Sequence, residues 1–196
     1  AKVEAEAKFR DDMSEYYDFE TMPWVAYRFT DWFKMGAGWR ELYSRKNEEV
    51  YTAIVGDGDQ APVADHYWQV EQRPLMDFMF TAQPTSWTLE DRVRVEYRVI
   101  EEQDEYFRYR NRFRVRPPWS WTRAEIKPWI AWEAYYEDNP DLDSGDRLNR
   151  HRLYVGLGAK VTRVIKAGCY YYREEALKDD AWEPNNEIGL EMSLSY

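Results

Sequence analysis

The sequence predicts an all-β protein: a single antiparallel up-and-down β-barrel of about ten strands that occupies residues 1–196 as one domain. Two observations predict this fold. Apolar and polar residues alternate with a period of two from end to end, and helical spacing never persists. The chain has 196 residues, which is enough for one substantial core and short for two.

The expected strands lie where the alternation is clearest. In chain order they fall near residues 2–10, 19–29, 33–44, 67–82, 87–100, 106–116, 123–137, 147–161, 165–175 and 186–196. The first sets small and aromatic apolar residues against lysines and glutamates. The fifth, sixth and eighth set valines, aromatics and leucines against arginines. The seventh alternates isoleucine and tryptophan with glutamate and tyrosine, and the last alternates up to a terminal aromatic residue.

The connections between these strands are expected to alternate in length. Short turns fall at Thr30–Trp32, Gln83–Ser86, Pro117–Thr122 and Thr162–Val164, whereas longer, acidic connections fall at 11–18, 45–66, 101–105, 138–146 and 176–185. An even strand number with alternating short and long connections is typical of outer-membrane barrels. We therefore expect a transmembrane barrel with the short turns and both termini at the periplasmic end.

The polar parity of the strands is unusually rich in arginine. Arginines on the lipid side of a membrane barrel would each cost kilocalories, so they are expected to face the lumen together with acidic partners. The predicted lumen charge network is Arg92, Arg94, Glu96, Arg98, Arg108, Arg110, Arg112, Arg114, Arg116, Glu133, Glu137, Arg150, Arg152 and Glu191. Further candidate acidic partners are Glu4, Glu6, Glu90 and Glu187. Such a network forms either a salt-bridged plug, which we favour, or a narrow path for ions.

Aromatic residues cluster at the short turns, where a ring suits the boundary between membrane and water. The predicted aromatic girdle consists of Phe29, Trp32, Phe33, Trp87, Trp119, Trp121 and Tyr196.

Four segments carry a resemblance to a known family. The segment Asn149–Gly158, "NRHRLYVGLG", and the earlier segments "EDRVRVEYR", "YRNRFRVR" and "IKPWIAWEAYYE" resemble consecutive strands of an uncharacterised family of Gram-negative outer-membrane β-barrels, the domain of unknown function 2490 type. The resemblance covers about residues 66–196. It implies a small outer-membrane barrel, and it implies no activity and no site.

Composition restricts the possible functions. The net charge of −10 argues against a nucleic-acid partner, and one cysteine with two histidines leaves little room for a zinc site. No arrangement of serine, histidine and acid suggests catalysis, so we expect a non-enzymatic protein without a cofactor. Asp141, Asp143 and Asp146 are a weak candidate for a divalent cation site, since carboxylates supply oxygen ligands.

The leading hypothesis is a structural or accessory outer-membrane barrel, or a narrow pore, with a salt-bridged lumen. Its expected partners are outer-membrane lipid and lipopolysaccharide, and other envelope proteins. The first alternative is a soluble antiparallel barrel that binds an apolar ligand, and the second is an outer-membrane hydrolase. A chain that starts at Ala1 also fits a mature protein from which a signal peptide has been removed.

Overall fold

A computed structural model describes the backbone of residues 2–10, 15–55, 59–101, 103–122, 125–140, 142, 146–178 and 181–195. Side chains are described for residues 19–44, 68–101, 103–122, 125–140, 142, 146–177 and 181–194. Within the described residues, no helix is long and apolar enough to cross a membrane.

Ten antiparallel strands form a closed barrel. They are β1 Lys2–Arg10, β2 Glu15–Arg28, β3 Phe33–Val55, β4 Asp59–Ala82, β5 Thr88–Ile100, β6 Tyr106–Arg116, β7 Lys127–Asp138, β8 Arg150–Lys160, β9 Ile165–Lys178 and β10 Ala181–Ser195. Each strand pairs with its neighbours in sequence, and β1 pairs with both β2 and β10, which closes the barrel. The predicted fold class is confirmed: up-and-down connections join every consecutive pair of strands.

The longest predicted connection, 45–66, is wrong as a loop. The hairpin of β3 and β4 continues through most of it, with Lys46 opposite Tyr67 and Val55 opposite Asp59. The β2 partner of β3 ends its pairing at Ser44, and the β5 partner of β4 begins at Glu71, so the hairpin extends beyond its neighbours. Its charged residues suggested a loop, but the antiparallel backbone ladder can continue outside the barrel wall whatever the side chains are.

Other strand boundaries also differ from prediction. The predicted connection 176–185 is mostly strand, because β9 extends to Lys178 and β10 starts at Ala181. The start of the predicted strand 123–137 is instead part of the turn, since β7 begins at Lys127 and Trp121 bridges Ile126 before it. Residues 123 and 124 lie outside the described residues.

The two faces of the wall differ in polarity. Along β7 the inward residues Trp129, Ala131, Glu133 and Tyr135 are buried, and the outward residue Ile130 is 53% exposed. Further outward apolar side chains on β6, β8, β9 and β10 are exposed: Phe113, Leu153, Val155, Tyr171, Ile188 and Leu190. The barrel therefore has an apolar outside and an interior that is largely polar.

Aromatic side chains fill part of the interior by lying on glycines. Trp129 of β7 faces Gly156 of β8, and Tyr170 of β9 faces Gly189 of β10. A Cβ atom at either glycine would overlap the ring of its partner. Trp129 and Tyr170 belong to one buried cluster with Tyr154, so the absence of a side chain at Gly156 and Gly189 is what allows these rings inside.

We predict that Gly156→Ala destabilises the barrel by about 1–3 kcal/mol, since the added methyl group forces Trp129 out of its position. Gly158→Ala is the matched control on the same strand and face, because a Cβ there meets no atom within 4 Å. Its effect should stay below about 0.5 kcal/mol. Urea unfolding of both variants in lipid vesicles, followed by tryptophan fluorescence, measures the difference. Equal stability of the two variants would contradict the contact.

Candidate functional site

The candidate site is the charged lumen. The register of β5 and β6 brings arginines of the two strands to facing positions there. These strands place Arg92 directly opposite Arg112 and Arg94 directly opposite Arg110. Like charges in facing positions repel, and they do so more strongly away from water. Acidic side chains from other positions must therefore reach between the two rows.

Glu133 of β7 is the first carboxylate that does so. Its Oε1 accepts hydrogen bonds from Arg92 Nη2 at 3.2 Å and from Arg110 Nη2 at 3.0 Å. Its Oε2 accepts hydrogen bonds from the hydroxyls of Tyr135 at 2.8 Å and Tyr154 at 2.7 Å. The residue is 0% exposed. Both oxygens are thus saturated by donors from three other elements and from β7 itself.

Glu96 of β5 is the second such carboxylate, and it is also 0% exposed. Arg110 Nη1 donates to its Oε1 at 2.8 Å. The guanidinium groups of Arg40, Arg94 and Arg108 lie at 3.7, 3.7 and 3.8 Å. One carboxylate therefore neutralises parts of four arginines that come from β3, β5 and β6.

Asp77 of β4 completes the middle of the lumen. It accepts two hydrogen bonds from Arg94, from Nε at 2.6 Å and from Nη2 at 2.8 Å, a bidentate geometry that fixes both side chains. We refer to the five buried residues at this level as the central charge layer: Asp77, Arg94, Glu96, Arg110 and Glu133.

Ion pairs continue toward the long-connection end of the barrel. Glu71 binds Arg73 at 2.5 Å and Arg98 at 2.8 Å, and Arg98 also reaches Glu137 at 3.4 Å. Glu137 accepts a hydrogen bond from Arg108 Nε at 2.5 Å. These contacts link β4, β5, β6 and β7 through paired charges on the lumen side of the wall.

A smaller network of polar and charged side chains lies on the opposite part of the barrel wall, on β8, β9 and β10. Arg152 of β8 donates to Glu174 of β9 at 2.5 Å, and Arg150 lies 3.8 Å from the same carboxylate. Tyr172 donates to Glu187 of β10. The predicted network residues Arg150 and Arg152 thus face the lumen, but a carboxylate of β9 is their partner.

The other end of the lumen, at the short turns, is open. A cavity of about 750 Å³ lies there, which we call the turn-side vestibule; the predicted residues Arg112, Arg114, Arg116 and Glu191 line it. Glu90 lies 3.3 Å from Arg116 and 3.9 Å from Arg114. The predicted network is thus divided between a closed layer and this open space.

Six buried charged residues were not predicted from the sequence: Glu20, Arg40, Glu71, Arg73, Asp77 and Glu174. The inward direction of three of them could have been predicted, since Glu71, Arg73 and Asp77 share one face of β4. Leu75 shares that inward parity, and Gln72 and Pro74 occupy the other, so the charge pattern was diluted. Of the further candidate partners, Glu4 and Glu6 have side chains outside the described residues.

The predicted girdle residues lie at the short-turn end. Phe29, Trp32, Trp87, Trp119 and Trp121 are exposed. Phe33 is half-buried because it stacks on Phe29 and Phe80, with ring centroids at 5.5 and 5.2 Å. Tyr196 lies outside the described residues.

The structure does not bring together a metal site in the part that it describes. No group of three or more histidine, cysteine, aspartate or glutamate side chains is placed to hold an ion among the described residues. Asp146 is described, whereas Asp141 and Asp143 lie outside the described residues, so this hypothesis stays a prediction.

Comparison with known proteins identifies relatives of this barrel. A family model described as "protein of unknown function (DUF2490)" matches residues 1–183. The β domain of the Bordetella autotransporter Brka superposes with a TM-score of 0.62 at 10% identity, covering 100% of this chain and 97% of that one. The NanC porin gives 0.49 at 10% identity, covering 99% and 100%, and the KdgM porin in complex with disordered oligogalacturonate gives 0.41 at 9%, covering 100% and 99%. No curated protein sequence matches the chain. The likeness to the autotransporter domain shows the fold of an outer-membrane barrel.

We predict that Glu133→Gln destabilises the barrel by about 3 kcal/mol, because it leaves buried arginine charge without compensation. The control is Glu175→Gln on the outward face of β9. Glu175 is partly exposed and pairs with Arg173 at 3.0 Å, so its loss should cost less than about 1 kcal/mol. Denaturant unfolding in lipid vesicles gives both values, and a Glu133→Gln variant as stable as the control would contradict the role of Glu133.

Proposed function

Because the chain belongs to the DUF2490 family of proteins of unknown function and has the fold of an outer-membrane barrel, we propose that it is a non-enzymatic, closed barrel of the bacterial outer membrane. Its role is structural or accessory, and the lumen acts as a plug that does not pass solutes steadily. One observation carries this proposal. The central charge layer is packed across the described part of the lumen, with Glu96 and Glu133 inaccessible to water.

The membrane location is supported by the apolar outside. Soluble monomers rarely expose large continuous apolar surface, whereas a membrane barrel needs an apolar band flanked by aromatic residues. Outward residues such as Ile130 and Val155 supply the band, and the girdle at the short turns supplies one flank. In this proposal the band contacts outer-membrane lipid and the opposite end contacts lipopolysaccharide.

The orientation of the barrel in the membrane follows from the difference between its short-turn end and its long-connection end. Outer-membrane barrels keep short turns and both termini in the periplasm. We therefore place the turn-side vestibule toward the periplasm and the projecting β3–β4 hairpin toward the outside. This arrangement leaves the hairpin free for contact with other envelope proteins.

The soluble alternative fits these side chains poorly. A barrel that binds an apolar ligand needs an apolar interior, and here the largest fully buried side chains include Arg94, Glu96, Glu133 and Asp77. An outer-membrane hydrolase needs a base and a nucleophile or activated water in reach of each other. Ser193 lies at the vestibule and His151 pairs with Glu175 on the outer face, so the two do not meet.

Current through planar bilayers tests the plug. The unaltered protein should give no steady single-channel conductance, with a general porin as the positive control. Asp77→Ala combined with Arg94→Ala removes the bidentate ion pair from the central charge layer, while Glu96 keeps Arg110, Arg40 and Arg108 as partners, and it should produce a small conductance. Asp138→Ala with Arg147→Ala removes an exposed pair at the other end and should produce none. A large, steady current in the unaltered protein would establish an open pore instead.

The membrane location predicts a cost for charge on the outside. Val155 is 56% exposed near the middle of β8, so Val155→Arg should destabilise the barrel in lipid by about 2–4 kcal/mol. Val155→Leu should be nearly neutral. Unfolding in lipid vesicles, with heat-modifiable gel mobility as the sign of folding, measures both variants. A soluble barrel would tolerate the arginine at this exposed position, so a neutral result would refute the membrane location.

A further inference from the structure

More cationic than anionic side chains line the turn-side vestibule. Among the described residues that line it, thirteen are arginine or lysine and five are aspartate or glutamate. The arginines nearest the middle, Arg94 and Arg110, belong to the central charge layer and are paired with its carboxylates. The excess therefore lies in the outer part, near the short turns.

Arg112 of β6 shows why the excess cannot be removed from within. In the register of β6 and β7 it stands directly opposite Glu133. Both oxygens of Glu133 are already occupied by two arginines and two tyrosine hydroxyls. Arg112 makes no ion pair with any described carboxylate, and its Nε is buried without a hydrogen-bond partner.

The adjacent arginines share one acid. Glu90 is the ion-pair partner of both Arg114 and Arg116, at 3.9 and 3.3 Å. Arg114 is only 8% exposed, and its Nε has no hydrogen-bond partner although the residue lines the vestibule. Its guanidinium group lies 4.3 Å from the centre of the Trp129 ring. This cation–π contact holds the guanidinium plane in one orientation. Arg114 is therefore preorganised to receive an anion.

We propose that the turn-side vestibule is a binding site for a multivalent oxyanion, a soluble ligand with at least two phosphate or carboxylate groups. Arg112 and Arg114 are its principal contacts, with Arg116 at the entrance. Guanidinium groups bind such anions through paired, charge-assisted hydrogen bonds. The ligand enters from the aqueous end, because the backbone ladder closes the wall to lipid. Residues of the central charge layer form the inner end of the vestibule, and the proposed contacts Arg112, Arg114 and Arg116 lie on the turn side of that layer.

Isothermal titration calorimetry of the detergent-solubilised full chain tests this site, with tripolyphosphate and citrate as the probes. Both should bind, and binding should weaken as salt is raised. Arg112→Gln and Arg114→Gln should each weaken tripolyphosphate binding about tenfold or more. Arg147→Gln makes the same charge change at the opposite end and should leave the affinity unchanged.

A variant that should increase the affinity distinguishes loss of binding from loss of folding. Glu90→Gln removes the acid that competes for Arg114 and Arg116, so it should tighten tripolyphosphate binding. Heat-modifiable mobility identifies the folded variants. The proposal is overturned if the unaltered chain binds neither probe, or if Arg112→Gln, Glu90→Gln and Arg147→Gln all bind with the affinity of the unaltered chain.

A second arm distinguishes the source of the anion. Adding phosphatidylglycerol to the micelles should not compete with tripolyphosphate if the ligand is soluble. Competition by this lipid would support the same phosphate site but assign it to lipid headgroups, and would refute entry from the aqueous end.

Discussion

The interaction on which this lumen depends is the neutralisation of buried arginines by Glu133 and Glu96. A charge buried without a partner costs several kilocalories, and β5 and β6 bring arginines to facing positions. Each carboxylate therefore serves more than one arginine, and tyrosine hydroxyls complete the hydrogen bonding of Glu133. The order of the lumen side chains follows from this shared neutralisation, and the proposed plug depends on it.

The same constraint explains the asymmetry between the two ends. Toward the long connections, Glu71, Glu137 and Glu174 each form an ion pair with an arginine. Toward the short turns, Glu90 must serve Arg114 and Arg116, and Arg112 is left without an ion pair to a described carboxylate. A layer of buried ion pairs and an open cationic vestibule thus arise from the distribution of carboxylates along a few strands.

Much of this was predictable from sequence, because side-chain direction in a strand follows parity alone. Alternation along the whole chain predicted the ten strands, and the cost of charge in lipid predicted the inward direction of the arginine-rich parity. The contact between non-adjacent strands was less accessible, since Arg40 of β3 reaches Glu96 of β5, two strands away. Asp77 of β4, by contrast, stands directly opposite Arg94 in the register of β4 and β5. Both strands of the β3–β4 hairpin were predicted, but their extension into residues 45–66 was predicted as a loop, whereas backbone pairing continues the strands there.

A double-mutant cycle between Arg110 and Glu133 tests the shared neutralisation most directly. Arg110→Met, Glu133→Gln and the double variant are unfolded in lipid vesicles, and the coupling free energy is obtained from the three differences. The account predicts a coupling of about 2 kcal/mol or more, with the double variant more stable than Glu133→Gln alone, because Arg110 no longer lacks its Glu133 partner and Arg92 is the one described arginine still deprived of it. Additive effects of the two substitutions would contradict it.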